Sequence, residues 1–318
     1  MTETAIAPGA LRPPKTGRLW ILSPSGPMDR GLVEVLTRAV AHALEQRGRA
    51  ARDPEKAIHE YRKAVRRARA VVKLVRDVLG ERAFRPLDQA LREAVLATSG
   101  LRDVDVLRQL VSKLADASAN MDERHLLHLL DRALLARQAA QREGSVDEAL
   151  SRGAELLVLV PARFARELPS LSLVDVRTGF AGSFARARRA RKMARRDPTD
   201  EAVHGWRKRV KELRYQLELD PTSDEDPTRE VWSDLAESLG EITDRAVLRR
   251  TVRELCREAA QGRGEHAGHA PEEHPAVEQL LGWLDAGIAA AIEAALEGSH
   301  AAFASHPADF AAGLFAGG

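Results

Sequence analysis

Two runs of the chain carry basic side chains at helical spacing behind a histidine: His59-Glu60-Tyr61-Arg62-Lys63-Ala64-Val65-Arg66-Arg67-Ala68-Arg69 and His204-Gly205-Trp206-Arg207-Lys208-Arg209-Val210-Lys211-Glu212-Leu213-Arg214. Wound at about 100° per residue, the first separates into two faces. Ile58, Tyr61, Val65, Ala68, Val72, Val75 and Leu79 fall on one side, while His59, Arg62, Lys63, Arg66 and Lys73 fall on the other, flanked by Arg67, Arg69 and Arg76. In the second run Trp206, Val210, Leu213 and Leu217 oppose His204, Arg207, Lys208, Lys211 and Arg214. A solvated helix face ordinarily mixes signs, because i,i+4 pairs of opposite charge stabilise it by roughly 0.2–0.5 kcal/mol and like charges cost as much. Residues 59–76 hold seven Lys or Arg, one His and a single acid, Glu60. Such stacking destabilises the free helix and is offset when an anion binds.

Arg presents a planar fork and Lys a mobile point charge, and both suit phosphoryl or sulfate oxygens. Basic residues on successive turns meet a ligand every ~5.4 Å, which fits a chain of regularly spaced charge better than one small metabolite. Protonated histidines donate from both ring nitrogens, a form that adjacent phosphates favour. A third basic run, Arg186 to Arg196, has seven Lys or Arg in eleven residues and no acid. It either extends the same surface through Arg188, Arg189 and Lys192 or is a solvated helix.

The elements that position these residues are written twice. At a constant offset of 145 the two runs share His, an aromatic, Arg, Lys, Val, a basic residue and Arg, and each follows an Asp-Pro helix start, Asp53-Pro54 and Asp197-Pro198. A second echo, Ser99 to Leu107 against Gly240 to Leu248, lies at an offset of 141. The pattern is a basic helix, a small-Gly turn, then Asp and an apolar helix. Helices are predicted at 31–48, 55–79, 82–98, 103–117, 122–142 and 146–166. After a joint from Leu168 to Asp175 they resume at 176–196, 199–219, 229–240, 244–260 and 275–297. No segment alternates at period two over strand length. The expected fold is all-α: two homologous antiparallel bundles of four-helix type, related by a pseudo-twofold axis. The division is a disordered or loosely attached tail at 1–29, repeats at 30–170 and 171–298, and a C-terminal extension at 299–318.

Composition agrees. The chain has 318 residues, 44% hydrophobic and only 4% aromatic, enough to bury a core and biased towards helix. Net charge is +2, so total charge names no partner, but its sorting into blocks does. With one cysteine, Cys256, no disulfide forms within the chain, which suits a reducing compartment. The longest apolar stretch, Leu280 to Leu296, contains Asp285 and Glu293 and reads as too short and too charged for a membrane span. The expectation is a cytoplasmic protein with no membrane association. No phosphate loop, nucleophile elbow or nucleophile–base pair is present, so no enzyme activity, catalytic residue or cofactor is expected. Asp103, Asp105 and Asp244 are read as helix caps that pair with arginines rather than as metal ligands. His125, His128, His266, His269 and His274 lack the partners of a zinc site. No base-reading motif or solvent-facing aromatic interleaves the basic stripes.

At these residues the sequence resembles the CHAD family, the conserved histidine α-helical domain. The matching motifs are the two His-headed runs, the second extended to Tyr215, together with Arg102-Asp103-Val104-Asp105 and Leu239-Gly240-Glu241-Ile242-Thr243-Asp244. The resemblance covers about residues 30–297. It implies two four-helix bundles about a pseudo-twofold axis, a basic central surface or pore, and binding of inorganic polyphosphate, often at polyphosphate granules. Thr243 and Ala246 stand where the first turn has Arg102 and Asp105, so no ligand role passes to the second turn. The triphosphate tunnel enzyme domain that often precedes a CHAD domain has no counterpart segment here. Two further readings stay open: a nucleic-acid or nucleoid protein using the same basic faces, and a scaffold that brings other granule proteins to polyphosphate.

Overall fold

The computed structural model describes residues 20–23, 25–99, 103–118, 121–140, 145–221, 227–261 and 275–315, and every regular element among them is helical. The elements are α1 (Met28–Arg49), α2 (Pro54–Leu74), α3 (Arg76–Leu96), α4 (Asp103–Ala117), α5 (Met121–Ala140), α6 (Val146–Leu157), α7 (Val160–Glu167), α8 (Leu173–Arg196), α9 (Asp200–Leu217), α10 (Pro227–Gln261), α11 (Pro275–Gly298) and α12 (Pro307–Ala312), with a 3-10 turn at Ala301–Phe303. Both His-headed runs lie on helices. The Asp53 carboxylate caps α2 by accepting from the Lys56 amide at 3.0 Å, with Pro54 in the first turn, and Thr199 caps α9 through the Ala202 amide at 3.3 Å.

Helix ends differ from expectation in three places, each for a local reason. The basic helix ends at Leu74 rather than 79, and the chain turns at Val75. Gly80, at φ +69°, takes the left-handed step that other residues adopt only at a cost, and α3 runs on regularly beyond it. The helix expected over 146–166 is two, because Pro161 brings no amide to the ladder and is tolerated only in a first turn, here that of α7. Conversely, the turn expected between 240 and 244 is absent: α10 runs straight through it. Asp244 therefore caps nothing. Gly240 costs helix propensity there, and the Arg207 guanidinium passes beside it, with Nη2 3.5 Å from where a Cβ would stand, an ordinary contact.

Packing runs across the expected junction at residue 170. The larger core joins Leu36, Tyr61, Val65 and Leu91 to Phe180, Phe184, Trp206, Val210 and Trp232. A smaller core is built by α4 and α5 with Leu248 and Val252 of α10 and Leu280 and Leu284 of α11. Two glycines set how closely α2 is gripped. A Cβ on Gly153 of α6 would stand 2.0 Å from the Tyr61 hydroxyl oxygen, and one on Gly179 of α8 would stand 2.2 Å from the Leu74 carbonyl oxygen. The expected loose tail is anchored over its last part: Leu22 is buried and donates its amide to the Leu219 carbonyl at 2.8 Å. Residues 1–19 lie outside the described residues, as do Arg102, the side chains of Asp103 and Asp105, and His266, His269 and His274.

By length and composition Val277–Gly298, of 22 residues, is long and apolar enough to cross a membrane, an 18-residue stretch of it reaching a mean hydropathy of 1.3. In the fold, Leu280, Leu284, Ile288 and Ile292 of this helix are buried against the two cores, and Asp285 is ion-paired with Arg249. Among the described residues no group of His, Cys, Asp or Glu is placed to hold a metal ion.

Candidate anion-binding site

The two basic helices meet. The Gln216 side-chain amide of α9 donates to the Ala70 carbonyl of α2 at 3.0 Å, in the middle of the contact. On either side of it sits an ion pair: Lys73 with Glu212 at 2.8 Å, and Arg67 with Glu218 at 2.5 Å. Moving from 67 to 73 on α2 moves from 218 back to 212 on α9, so the helices cross antiparallel. At the offset of 145 that relates the copies, 212 and 218 are the counterparts of 67 and 73. The two pairs are therefore reciprocal, each joining a position in one copy to the other position's counterpart. That is the pattern of an isologous contact. Identical copies would set cations against cations here, and the second copy carries glutamates instead.

These carboxylates divide the α2 stripe. Glu212, 7% exposed, also receives Arg209 at 3.1 Å and Arg186 at 3.5 Å. Burial alone would push its carboxyl up, but Lys73, Arg209 and Arg186 together hold it below the usual range. Lys73 is itself pushed down by burial, against the pull of Glu212. Glu218 lies 4.0 Å from Arg214 as well, and Arg67 is stacked between the Trp20 ring at 4.8 Å and the Tyr215 ring at 5.8 Å. Arg69 makes a two-pronged pair with Asp88 at 2.6 and 2.9 Å, and Arg76 pairs with Glu81. The stripe that reads in sequence as having a single acid, Glu60, thus draws carboxylates from α3 and α9 along its C-terminal half.

The other half keeps its charge. Arg62 donates to the Thr98 carbonyl at 2.9 Å, His59 is exposed with Glu60 at 4.0 Å, and Lys63 and Arg66 are half-buried. Arg66 lies within electrostatic reach of Arg207 and Lys211 of α9. Among the described residues, Arg66, Lys208 and Lys211 have no ion-pair partner, and Arg207 has only Asp244 at 3.7 Å. The consequence is sharpest at Lys211, whose ammonium is pushed down from 10.5 to about 7. Burial is the main cause, followed by the charges of Arg207 and Arg66 against a weaker opposing pull from Asp244, with Arg214 adding to the depression. His204 is held below its ordinary value by burial and by Lys208, Arg207 and Arg250. The Arg207 guanidinium is lowered by burial and by Arg66, partly countered by Asp244, and its Nε is buried with no hydrogen-bond partner. The geometry can take up a multiply charged anion, which would return the proton to Lys211.

Arg188, Arg189 and Lys192 stand apart from this groove, exposed on the outer side of α8. Sequence reasoning missed Glu212 and Glu218 as partners of the first stripe, and Arg250 as a neighbour of His204. A signal for the glutamates was present: 67/212 and 73/218 are the positions where the two copies reverse sign.

A family model described as the CHAD domain matches residues 34–253. Among solved structures, the crystal structure of the CHAD domain from the plant Ricinus communis is similar, with a TM-score of 0.62 and 21% identity over 87% of this chain and 94% of that one, a likeness of fold. No curated protein sequence matches.

Proposed function

This chain belongs to the CHAD family, and on that footing we propose that it binds long-chain inorganic polyphosphate in the groove between α2 and α9. The observation that supports this reading is the group of Arg66, Arg207 and Lys211, half-buried where the two helices meet and offset, among the described carboxylates, by Asp244 alone, with the exposed Lys208 beside His204. Burying like charges without partners costs the free protein stability, and a polyanion removes that cost. Arg214 and His204 prolong the cationic track at its two ends on α9. The reading assigns binding and no turnover, in the cytoplasm at polyphosphate granules, where other granule proteins would share the polymer.

Titration calorimetry with long-chain polyphosphate at several salt concentrations tests it. Neutralising about six charges, on the scale set by single-stranded nucleic acid, predicts a log–log slope of roughly −4. A flat dependence rejects an electrostatic site. Equal competition by random duplex DNA of the same charge rejects polyphosphate as the preferred polymer.

A further inference from the structure

The exposed cations of α8 are not part of the groove. Taking Arg186 as the reference direction, Arg188, Arg189, Lys192, Arg195 and Arg196 fall within an arc of about 120°. The centre of that arc is turned about 120° from Arg186, which points to Glu212 at the helix crossing. The buried line of the helix, Phe180, Phe184, Ala187 and Ala194, faces away from the arc. From Arg188 to Arg196 the row is about 12 Å long.

Solvated faces elsewhere in this protein mix signs at i,i+4: Glu34 with Arg38, Glu45 with Arg49, Glu81 with Arg85, Arg250 with Glu254. The outer face of α8 has no such pair. All five cations are exposed, none has an ion-pair partner among the described residues, and the hydrogen bond from Arg188 to the Ser305 carbonyl, at 3.3 Å, leaves its charge uncompensated. The helix dipole accounts for cations in the last turn, Arg195 and Arg196. It falls off within that turn and does not reach Arg188 or Arg189.

We infer that the outer face of α8 is a second polyanion-binding surface, so that one molecule holds two lengths of polyphosphate, one in the groove and one on α8. The inference rests on the reading that the groove takes polyphosphate. A chain-like phosphate polymer is the occupant because the face repeats the chemistry of the groove: forks and point charges on successive turns, with no acid among them. Two cationic surfaces turned away from each other make a cross-linker, which draws separate polymer chains into one body.

The test uses the full chain. Biotinylated long-chain polyphosphate is fixed to a sensor, saturated with protein and washed, and a fluorescent long-chain polyphosphate is then passed over it. The parent should capture the second polymer. A variant carrying Arg188→Glu, Arg189→Glu and Lys192→Glu should bind the first polymer within about threefold of the parent and lose capture of the second by tenfold or more. The Gln triple at the same positions should lose it in part, and circular dichroism should show both variants helical, since the side chains changed are exposed. Capture by the Glu triple equal to the parent's overturns the inference, because a dimer joining two grooves would behave so. Loss of first-polymer affinity as large as in Arg207→Glu with Lys208→Glu also overturns it, since groove and outer face would then be one site. Preferential capture of duplex DNA as the second polymer overturns the choice of occupant. If Arg207→Glu with Lys208→Glu leaves first-polymer binding unchanged, it is the groove reading that falls, and the Glu triple still judges the outer face.

Discussion

The helices α2 and α9 descend from one pattern and now do opposite things with it. Arg67, Arg69 and Lys73 of α2, and Arg76 at the start of α3, are each matched by a carboxylate, and two of those carboxylates, Glu212 and Glu218, come from α9 and its C-terminal cap. On α9, Lys208 and Lys211, the counterparts of Lys63 and Arg66, have no ion-pair partner among the described residues: Lys211 has lost enough of its affinity for a proton to titrate near neutrality, and His204 is depressed too. A basic stripe in sequence is therefore not one thing. Half of this one is internal cement, because a buried acid converts its cations into structure. In the other half Arg66, Lys208 and Lys211 have no ion-pair partner among the described residues, and Asp244, 3.7 Å from Arg207, is a weak counterweight. The two positions where the copies reverse sign, 67/212 and 73/218, supply the carboxylates at the helix crossing.

The widest gap between the helices should appear in binding. Arg207→Glu, Lys208→Glu and Lys211→Glu together should lower long-chain affinity by about two to three orders of magnitude at low salt, whereas Arg69→Gln with Arg76→Gln should change it by no more than about twofold. Filter binding of both variants makes the comparison, and equal losses would break the division drawn along α2. Next comes stability. Glu212→Gln strands Lys73, Arg186 and Arg209 around a neutral group and should cost about 3 kcal/mol in denaturant unfolding. Because the folded-state pKa of Glu212 is depressed, its contribution is present above the ordinary carboxylate value of 4.5 and is lost as pH falls through the folded value. Acid unfolding of the parent should show that loss, and the variant should lack it.

The smallest effect concerns Lys211. Between pH 7 and about 10 the unfolded chain holds a proton there that the folded chain has released, so this site makes stability rise with pH across that window. Lys211→Met should raise the melting temperature most at and below neutral pH, by roughly 2–4 °C for each ~1 kcal/mol relieved, and the gain should fade towards pH 10. Polyphosphate binding should take up protons at pH 8, read as a dependence of the calorimetric heat on buffer ionisation. The variant should show less uptake.

Much of the arrangement was legible in sequence because periodicity is local. Tyr61, Val65, Ala68 and Val72 on α2, and Trp206, Val210, Leu213 and Leu217 on α9, are all buried as the helical wheel requires. What was not legible is which cations are spoken for. Arg67 finds its acid 151 residues away and Lys73 finds its own 139 residues away, and no wheel drawn on one helix contains that information. The break at Pro161 was readable from proline chemistry. The continuity of α10 through Gly240 was not, since a glycine in a turn and a glycine inside a helix look alike in one dimension.

The glycine notches around α2 also bear on mobility. With Gly153 seated against Tyr61 and Gly179 against Leu74, α2 is clamped in two places where even a methyl group would collide, and it has no slack in which to slide or roll. Nothing within 4 Å crowds Gly205 near the head of α9, although Trp206, Val210 and Leu213 seat that helix in the core on its other side. A methyl group therefore separates the three positions: Gly153→Ala and Gly179→Ala should each force α2 from its seat and lower the melting temperature, whereas Gly205→Ala should be tolerated and add helix propensity.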